Sequence, residues 1–172
     1  MKTLKLICLL VIVTTLHSCD KCHKKLHHYT PVWLSFQDAS GNDLVNGIEY
    51  DAYSTGHGEI KSELIDLYIN YDGIYSLSDW ALGYNTVSII KQDNYYYIGC
   101  GLVFTECDPL PNKITFKFRC PHIFGDNYLH EITTYWNTTK KKYHECYRIE
   151  YEGKEFSVNE QSQSVTIILD NK

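Results

Sequence analysis

Apolar and polar residues alternate along most of the chain after residue 31, with the two-residue period of half-buried strands. Val32, Leu34 and Phe36, for example, alternate with polar or amphipathic neighbours, and a turn-rich segment at 38–43 follows. Further segments of this kind are separated by stretches rich in Gly, Asn and Asp, which are typical of turns. The pattern predicts about ten strands, at residues 32–37, 48–54, 65–71, 87–91, 95–104, 114–119, 132–136, 143–151, 156–158 and 165–169.

Many short strands with regular turn signals and no long helical period favour an all-β fold. We predict one domain, residues 31–172, folded as an antiparallel β-sandwich with Greek-key connections. The chain of 172 residues is long enough to bury one substantial core.

The N-terminus departs from the strand pattern. Lys2 and Lys5 precede the wholly apolar run "LICLLVIV" at 6–13, and a small residue, Ser18, comes five positions after this run. A charged start, a short apolar run and a small residue are typical of an export signal, and the run is too short for a permanent span. We predict that residues 1–18 are a cleaved signal peptide.

Residues 16–28, "LHSCDKCHKKLHH", allow three chemistries. Cys19, Cys22 and His23 have the spacing of a c-type haem attachment site. The same residues, with His27 and His28, also have the ligand types of a zinc site. Cys19 is also placed for attachment of a lipid, directly after the predicted signal peptide.

The junction resembles that of bacterial lipoproteins. Leu16, Ser18 and Cys19 match the aliphatic, small and cysteine positions of the lipobox, whereas His17 departs from it. The resemblance implies cleavage before Cys19, a diacylglycerol thioether on its sulfur and acylation of its new amine. Several acyl chains hold a protein stably on a membrane. Because a lipid thioether excludes a haem thioether and a zinc thiolate at the same sulfur, we favour lipidation, with no cofactor or metal, and a flexible polar tether at 19–30.

Two other segments, "VWLSFQDASGNDLVNGIEY" and "YRIEYEGKEFSV", resemble hairpins of small lipoproteins from Bacteroides-type gut bacteria. That resemblance implies an immunoglobulin-like or transthyretin-like sandwich. It also implies a location in the bacterial cell envelope, lipid-anchored to the outer membrane. It leaves open which side of that membrane carries the domain.

Four cysteines lie in the predicted domain: Cys100, Cys107, Cys120 and Cys146. An exported chain can form disulfides, and four cysteines allow three pairings. We favour Cys100 with Cys107 and Cys120 with Cys146; the alternative is that some remain reduced as small core residues. Paired C-x-x-C knuckles for zinc are missing.

The remaining motifs indicate no reaction. His57-Gly58-Glu59 lacks the P-C-x-x-C that a zinc deaminase needs, and the 38–43 segment lacks the terminal Glu of a calcium-binding EF-hand. A net charge of −5 gives no electrostatic footprint for nucleic acid. We therefore predict a protein that is not an enzyme, while a site assembled from distant residues stays an alternative.

The high content of aromatic residues, with 15 tyrosines in the chain, is the feature of the sequence that points to binding. Consecutive strand residues face opposite sides, so Tyr95, Tyr96 and Tyr97 cannot all be in the core. Exposed Tyr and Trp suit protein partners or sugar rings. We predict a membrane-anchored binding or assembly module, or alternatively a glycan-binding lipoprotein for nutrient uptake. Its candidate ligand-binding residues are Asp79, Trp80, Tyr84 and Asn85.

Overall fold

The computed structural model describes residues 26–71, 87–99, 102–105, 110–139 and 143–170. Within these ranges the chain forms thirteen strands and one short helix, α1 (Pro121–Phe124). No helix in the described ranges is long and apolar enough to cross a membrane. The strands are β1 (Leu26–Tyr29), β2 (Trp33–Asp38), β3 (Tyr50–Ser54), β4 (His57–Ile60), β5 (Asp66–Tyr71), β6 (Ser88–Gln92), β7 (Tyr95–Gly99), β8 (Leu102–Thr105), β9 (Lys113–Arg119), β10 (His130–Asn137), β11 (Tyr143–Tyr151), β12 (Lys154–Ser157) and β13 (Ser164–Leu169).

The strands form two sheets that pack together as a sandwich, which confirms the predicted all-β class. The seven-stranded sheet has the order β5-β9-β10-β11-β1-β8, and β12 adds to β11. The six-stranded sheet has the order β13-β2-β7-β6-β4-β3. Strands that are neighbours in space are therefore often distant in sequence.

The core lies between the sheets and follows the alternation of the sequence. Strand β9 shows this most clearly, because its residues 114, 116 and 118 are buried and the residues between them are more exposed. One side of each sheet thus supplies apolar side chains to the core, and the other side faces outward. The largest fully buried apolar side chains include Phe36, Ile89, Ile98, Ile114, Phe116, Ile132, Ile149 and Ile167.

Two strand pairs correct the prediction of a purely antiparallel sandwich. Strand β1 runs parallel to β11, and β13 runs parallel to β2, so both sheets are mixed. The alternation of apolar residues has the same period in parallel and antiparallel strands. It therefore carries no information about strand direction.

The predicted boundary at residue 31 is also wrong. Residues 26–29 form β1, between β8 and β11, instead of belonging to a flexible tether. Tyr29 is buried and donates a 2.7 Å hydrogen bond to the Pro111 carbonyl. The segment escaped recognition because its two histidines make a four-residue strand look like part of the polar run before it.

Other local differences have identifiable causes. The segment 95–104, predicted as one strand, forms β7 in one sheet and β8 in the other. Helix α1 was not predicted; it begins at Pro121, ends at Phe124 and is capped by Gly125, whose φ of 77° is favourable for glycine. The predicted turn at 38–43 is confirmed, because Asp38 Oδ1 accepts hydrogen bonds from the amides of Ser40 and Asn42.

Candidate functional site: the outer face of the six-stranded sheet

Most residues singled out from the sequence lie outside the described residues. These are the lipidation candidate Cys19, the ligand-binding candidates Asp79, Trp80, Tyr84 and Asn85, and the disulfide candidates Cys100 and Cys107. Their roles stay predictions.

The predicted disulfide between Cys120 and Cys146 is not formed in the structure. Both Cys120 and Cys146 are buried, but the Cys146 thiol is free and donates a 3.4 Å hydrogen bond to the Arg148 carbonyl. Burial raises the pKa of this thiol to about 12, so the nucleophilic thiolate is scarce at neutral pH.

The burial of Cys146 follows from an irregularity in its strand. The pairing of β10 and β11 shifts in register between Tyr135 and Trp136, so the buried side of β11 changes from one residue phase to the other. A reading by simple alternation cannot detect that shift.

The two outer faces of the sandwich differ in chemistry. On the seven-stranded sheet, cross-strand ion pairs join Arg119 with Asp66, Lys117 with Glu131 and Arg148 with Glu155. The Arg148 guanidinium also lies 3.9 Å from the centre of the Tyr135 ring. We call this surface the charged face; opposite charges on adjacent strands support each other there.

The outer side of the six-stranded sheet, which we call the aromatic face, has a different composition. The outward positions of its described strands carry aromatic, amide, hydroxyl, acidic and aliphatic side chains, and no lysine or arginine, while Lys61 lies directly after β4 beside Asp51. They include Trp33, Ser35, Gln37, Asp51, Tyr53, His57, Glu59, Ile90, Gln92, Tyr95, Tyr97, Thr166 and Ile168.

Trp33, the first residue of β2, lies at one end of this face and rests against the neighbouring strand β7. A Cβ atom at Gly99 would lie 2.8 Å from Cε3 and 3.1 Å from Cζ3 of the indole. The absence of a side chain at Gly99 therefore gives the Trp33 ring its space. The indole is half-buried, so part of its surface is open to solvent.

A row of side chains crosses the face next to Trp33. Tyr97 pairs with Ile90, which pairs with His57, and the Leu34–Ile98 pair places Ser35 beside Tyr97. At a strand spacing of about 4.8 Å, the row from Ser35 to His57 is about 14 Å long. The row can thus contact a ligand larger than a single small ring.

At the far end of the row, Tyr53 extends from a bulge of β3. Its ring is 63 % exposed and stands edge-on to His57, with 5.9 Å between the ring centres. Its hydroxyl donates a hydrogen bond to the Glu59 carboxylate, and this bond raises the pKa of the tyrosine. The neutral phenol at this position therefore presents an apolar ring with a fixed polar edge.

The three consecutive tyrosines of β7 divide as the alternation requires. Tyr95 is 38 % exposed and Tyr97 is half-buried on the aromatic face, whereas Tyr96 packs against the core. Partial burial is the main cause that raises the pKa of Tyr97. The prediction that at least one of the three faces outward or lies at an edge is confirmed.

Ser35 is an unusual residue at the centre of the face. It lies between Trp33 and Gln37 on the outward side of β2, yet it is 0 % exposed, and its hydroxyl has no hydrogen-bond partner. A buried hydroxyl without a partner costs free energy. Ser35 therefore forms a polar floor of this face that larger side chains cover.

A second polar cluster lies elsewhere and has a structural role. His130 stacks on Phe124 at 3.8 Å, and its Nε2 and Nδ1 atoms lie 2.9 Å and 3.0 Å from Asp126 Oδ1 and the Tyr151 hydroxyl. Burial raises the pKa of Tyr151, so this phenol stays neutral at physiological pH. The cluster fastens α1 and the loop after it to the ends of β10 and β11.

Sequence reasoning missed the aromatic face, although part of the signal was available. Trp33 alternates with the buried residues Val32, Leu34 and Phe36, which indicates that its side chain faces away from the core.

Comparison of the chain with family models, curated proteins and solved structures gave no match. The function is therefore argued from the residues of this chain.

Proposed function

We propose that the chain is a membrane-anchored, non-enzymatic binding module of the bacterial cell envelope, and that the aromatic face holds its ligand. The observation that supports this proposal most is the contrast between the two outer faces. Both faces expose tyrosines, but the strands of the charged face carry cross-strand ion pairs among them, whereas the outward strand positions of the aromatic face carry Trp33 with amide and hydroxyl side chains and no lysine or arginine. Rings with polar edges are enriched where proteins bind partners.

The anchoring part of the proposal rests on the sequence around Cys19. Six residues separate Cys19 from Leu26, the first residue of β1. From Cys19 to Leu26, even a fully extended chain reaches only about 23–25 Å. A lipid on Cys19 would therefore hold the sandwich close to the membrane surface.

Anchoring is tested by the intact mass of the protein extracted from bacterial membranes. We expect a chain that begins at Cys19 and is heavier by the mass of its acyl groups. A chain that begins elsewhere, or that carries an unmodified Cys19, would contradict the anchoring.

Binding by the aromatic face is tested with the detergent-extracted protein and isolated cell-envelope material. The double substitution Tyr53→Ser with Tyr95→Ser should weaken saturable binding by about tenfold or more, because it removes two exposed rings. The matched control is Tyr68→Ser with Tyr147→Ser, since these tyrosines of the other sheet are each 54 % exposed. Equal effects of both double substitutions would overturn the assignment to the aromatic face.

A further inference from the structure

We propose that the aromatic face binds a neutral glycan, with Trp33 and Tyr97 stacking against sugar rings. This inference rests on the proposed function and names the ligand class of the same face. It places the site on β2, β7, β6, β4 and β3.

The shape of the face fits a saccharide. A pyranose ring has an apolar side of C–H groups and an edge of hydroxyl groups, so it packs against an aromatic ring and forms hydrogen bonds around it. Trp33 offers its ring from the space beside Gly99, and Tyr97 lies one strand away from Ser35. The row that continues to His57 gives further sugar units a surface of about 14 Å.

The polar residues of the face supply the hydrogen bonds that sugars need. Gln37 and Gln92 carry amides that both donate and accept, and Thr166 adds a hydroxyl beside Ser35. Ser35 itself is fully buried, with a hydroxyl that has no partner. Ser35 is covered in this structure, so the accessible amides and the Thr166 hydroxyl are the groups that favour a polyhydroxylated ligand over a purely apolar one.

The charge of the face favours a neutral glycan over an acidic one. Asp51 and Glu59 are acidic side chains of this face, and the neighbouring Lys61 is already paired with Glu49 at 2.7 Å, so acidic groups outnumber the lysine there. Carboxylate or sulfate groups on a ligand would be repelled there. Arginine, the usual partner of such groups, is found on the charged face, where Arg119 and Arg148 pair with acidic side chains.

A protein partner fits this face less well. The centre of a protein interface is depleted in polar and charged groups and is rich in contiguous apolar side chains. Here Ile90 and Ile168 are separated by polar residues, including Gln37 and Ser35. Binding of a protein is therefore kept as an outcome that the experiment can detect.

The inference is tested by calorimetric titration of the detergent-extracted protein with cello-, malto-, manno- and xylo-oligosaccharides, and with oligogalacturonate as the acidic probe. We expect at least one neutral series to bind, with affinity rising with chain length, and oligogalacturonate to bind more weakly. Trp33→Ala should weaken binding by about tenfold or more, because it removes one stacking ring. Tyr68→Ala, on the other sheet, should leave binding unchanged.

Folding of each variant is checked by its thermal melt, and Trp33→Tyr is the second variant should Trp33→Ala fail to fold. A tyrosine keeps an aromatic ring at the site and should retain most of the affinity. Preferred binding of oligogalacturonate, no binding of any neutral series, equal binding by wild type and Trp33→Ala, or loss of binding in a folded Trp33→Tyr would overturn the inference.

Treatment of envelope material separates failure of this inference from failure of the proposed function. Periodate cleaves the vicinal diols of sugars, whereas protease removes polypeptides. Loss of binding after periodate alone supports a glycan. Loss after protease alone would overturn the glycan inference and leave the binding module standing. No binding to untreated material would overturn both.

Discussion

At the scale of single residues, Gly99 controls the shape of the candidate site although it has no side chain of its own to bind a ligand. A Cβ atom at this position would lie within 3 Å of both the Trp33 ring and the Val32 carbonyl. Distances this short force the indole or the strand to move. The position of Trp33 thus depends on a residue that is 66 positions away in the chain but adjacent in the sheet.

Gly99→Ala tests this dependence. The added methyl group should displace the Trp33 ring and weaken saccharide binding by about tenfold, through the same contact that Trp33→Ala removes. Ser88→Ala is the control, because Ser88 pairs with Gly99 on β6 and the change adds no atoms. Unchanged affinity of Gly99→Ala would contradict the assigned role of the indole.

Because of Tyr29, we expect the free energy of unfolding to fall as the pH rises through the alkaline range. Burial raises the pKa of its phenol above the ordinary value of 10.0. The group therefore contributes its full stabilisation below pH 10, and that contribution is lost as the pH rises and the unfolded state ionises first. One such group lowers the free energy of unfolding by up to about 1.4 kcal/mol for each pH unit above 10.

The measurement for Tyr29 is urea unfolding of wild type and Tyr29→Phe between pH 8 and pH 12. At pH 8 the variant should be less stable by about 1 kcal/mol, because it loses the hydrogen bond to the Pro111 carbonyl. Above pH 10 its stability should fall less steeply than that of wild type. Parallel curves would show that Tyr29 ionises in the folded state as readily as in the unfolded state.

At the scale of elements, alternation was sufficient to find most strands but not their arrangement. The period of two located β2, β9 and β13 within a residue or two, because their buried faces are strictly apolar. It could not give the parallel direction of β1 and β13, which depends on pairing between distant segments. It also missed α1, because four residues are too few for a helical period.

The bulge in the β10–β11 pair shows how a local irregularity defeats pattern reading. The register shift puts Cys146 opposite the buried Trp136, although Arg148 lies opposite Tyr135 on the outer side. Simple alternation from Arg148 would therefore place Cys146 on the outer side, whereas the fold places it in the core. The aromatic face was missed because its row from Ser35 to His57 combines residues of four strands, and the sequence pattern does not give the order of those strands.

The cluster around His130 should fasten α1 to the sandwich. His130→Ala removes the stacking on Phe124 and both hydrogen-bond contacts, so it should lower the free energy of unfolding by about 2 kcal/mol. His57→Ala, at an exposed position, should cost less than about 0.5 kcal/mol. Urea unfolding of both variants measures the difference, and equal losses would contradict the role of His130.

At the scale of the whole molecule, the sandwich keeps a charge-paired surface on one side and an aromatic surface on the other. The predicted lipid at Cys19 and the start of β1 at Leu26 would hold both surfaces near a membrane. Composition and strand pattern were enough to predict the fold class. They could not predict which exposed rings share a face, because that follows from the sheet order β13-β2-β7-β6-β4-β3.

The central claim, that the aromatic face binds a neutral glycan, is tested most directly by nuclear magnetic resonance. Backbone amide shifts of the protein are recorded while the tightest-binding neutral oligosaccharide is added, or the whole set in turn. We predict shifts concentrated on β2, β7, β6 and β4, with the Trp33 indole N–H among them. Shifts confined to the charged face, or none with any of these sugars, would contradict the account.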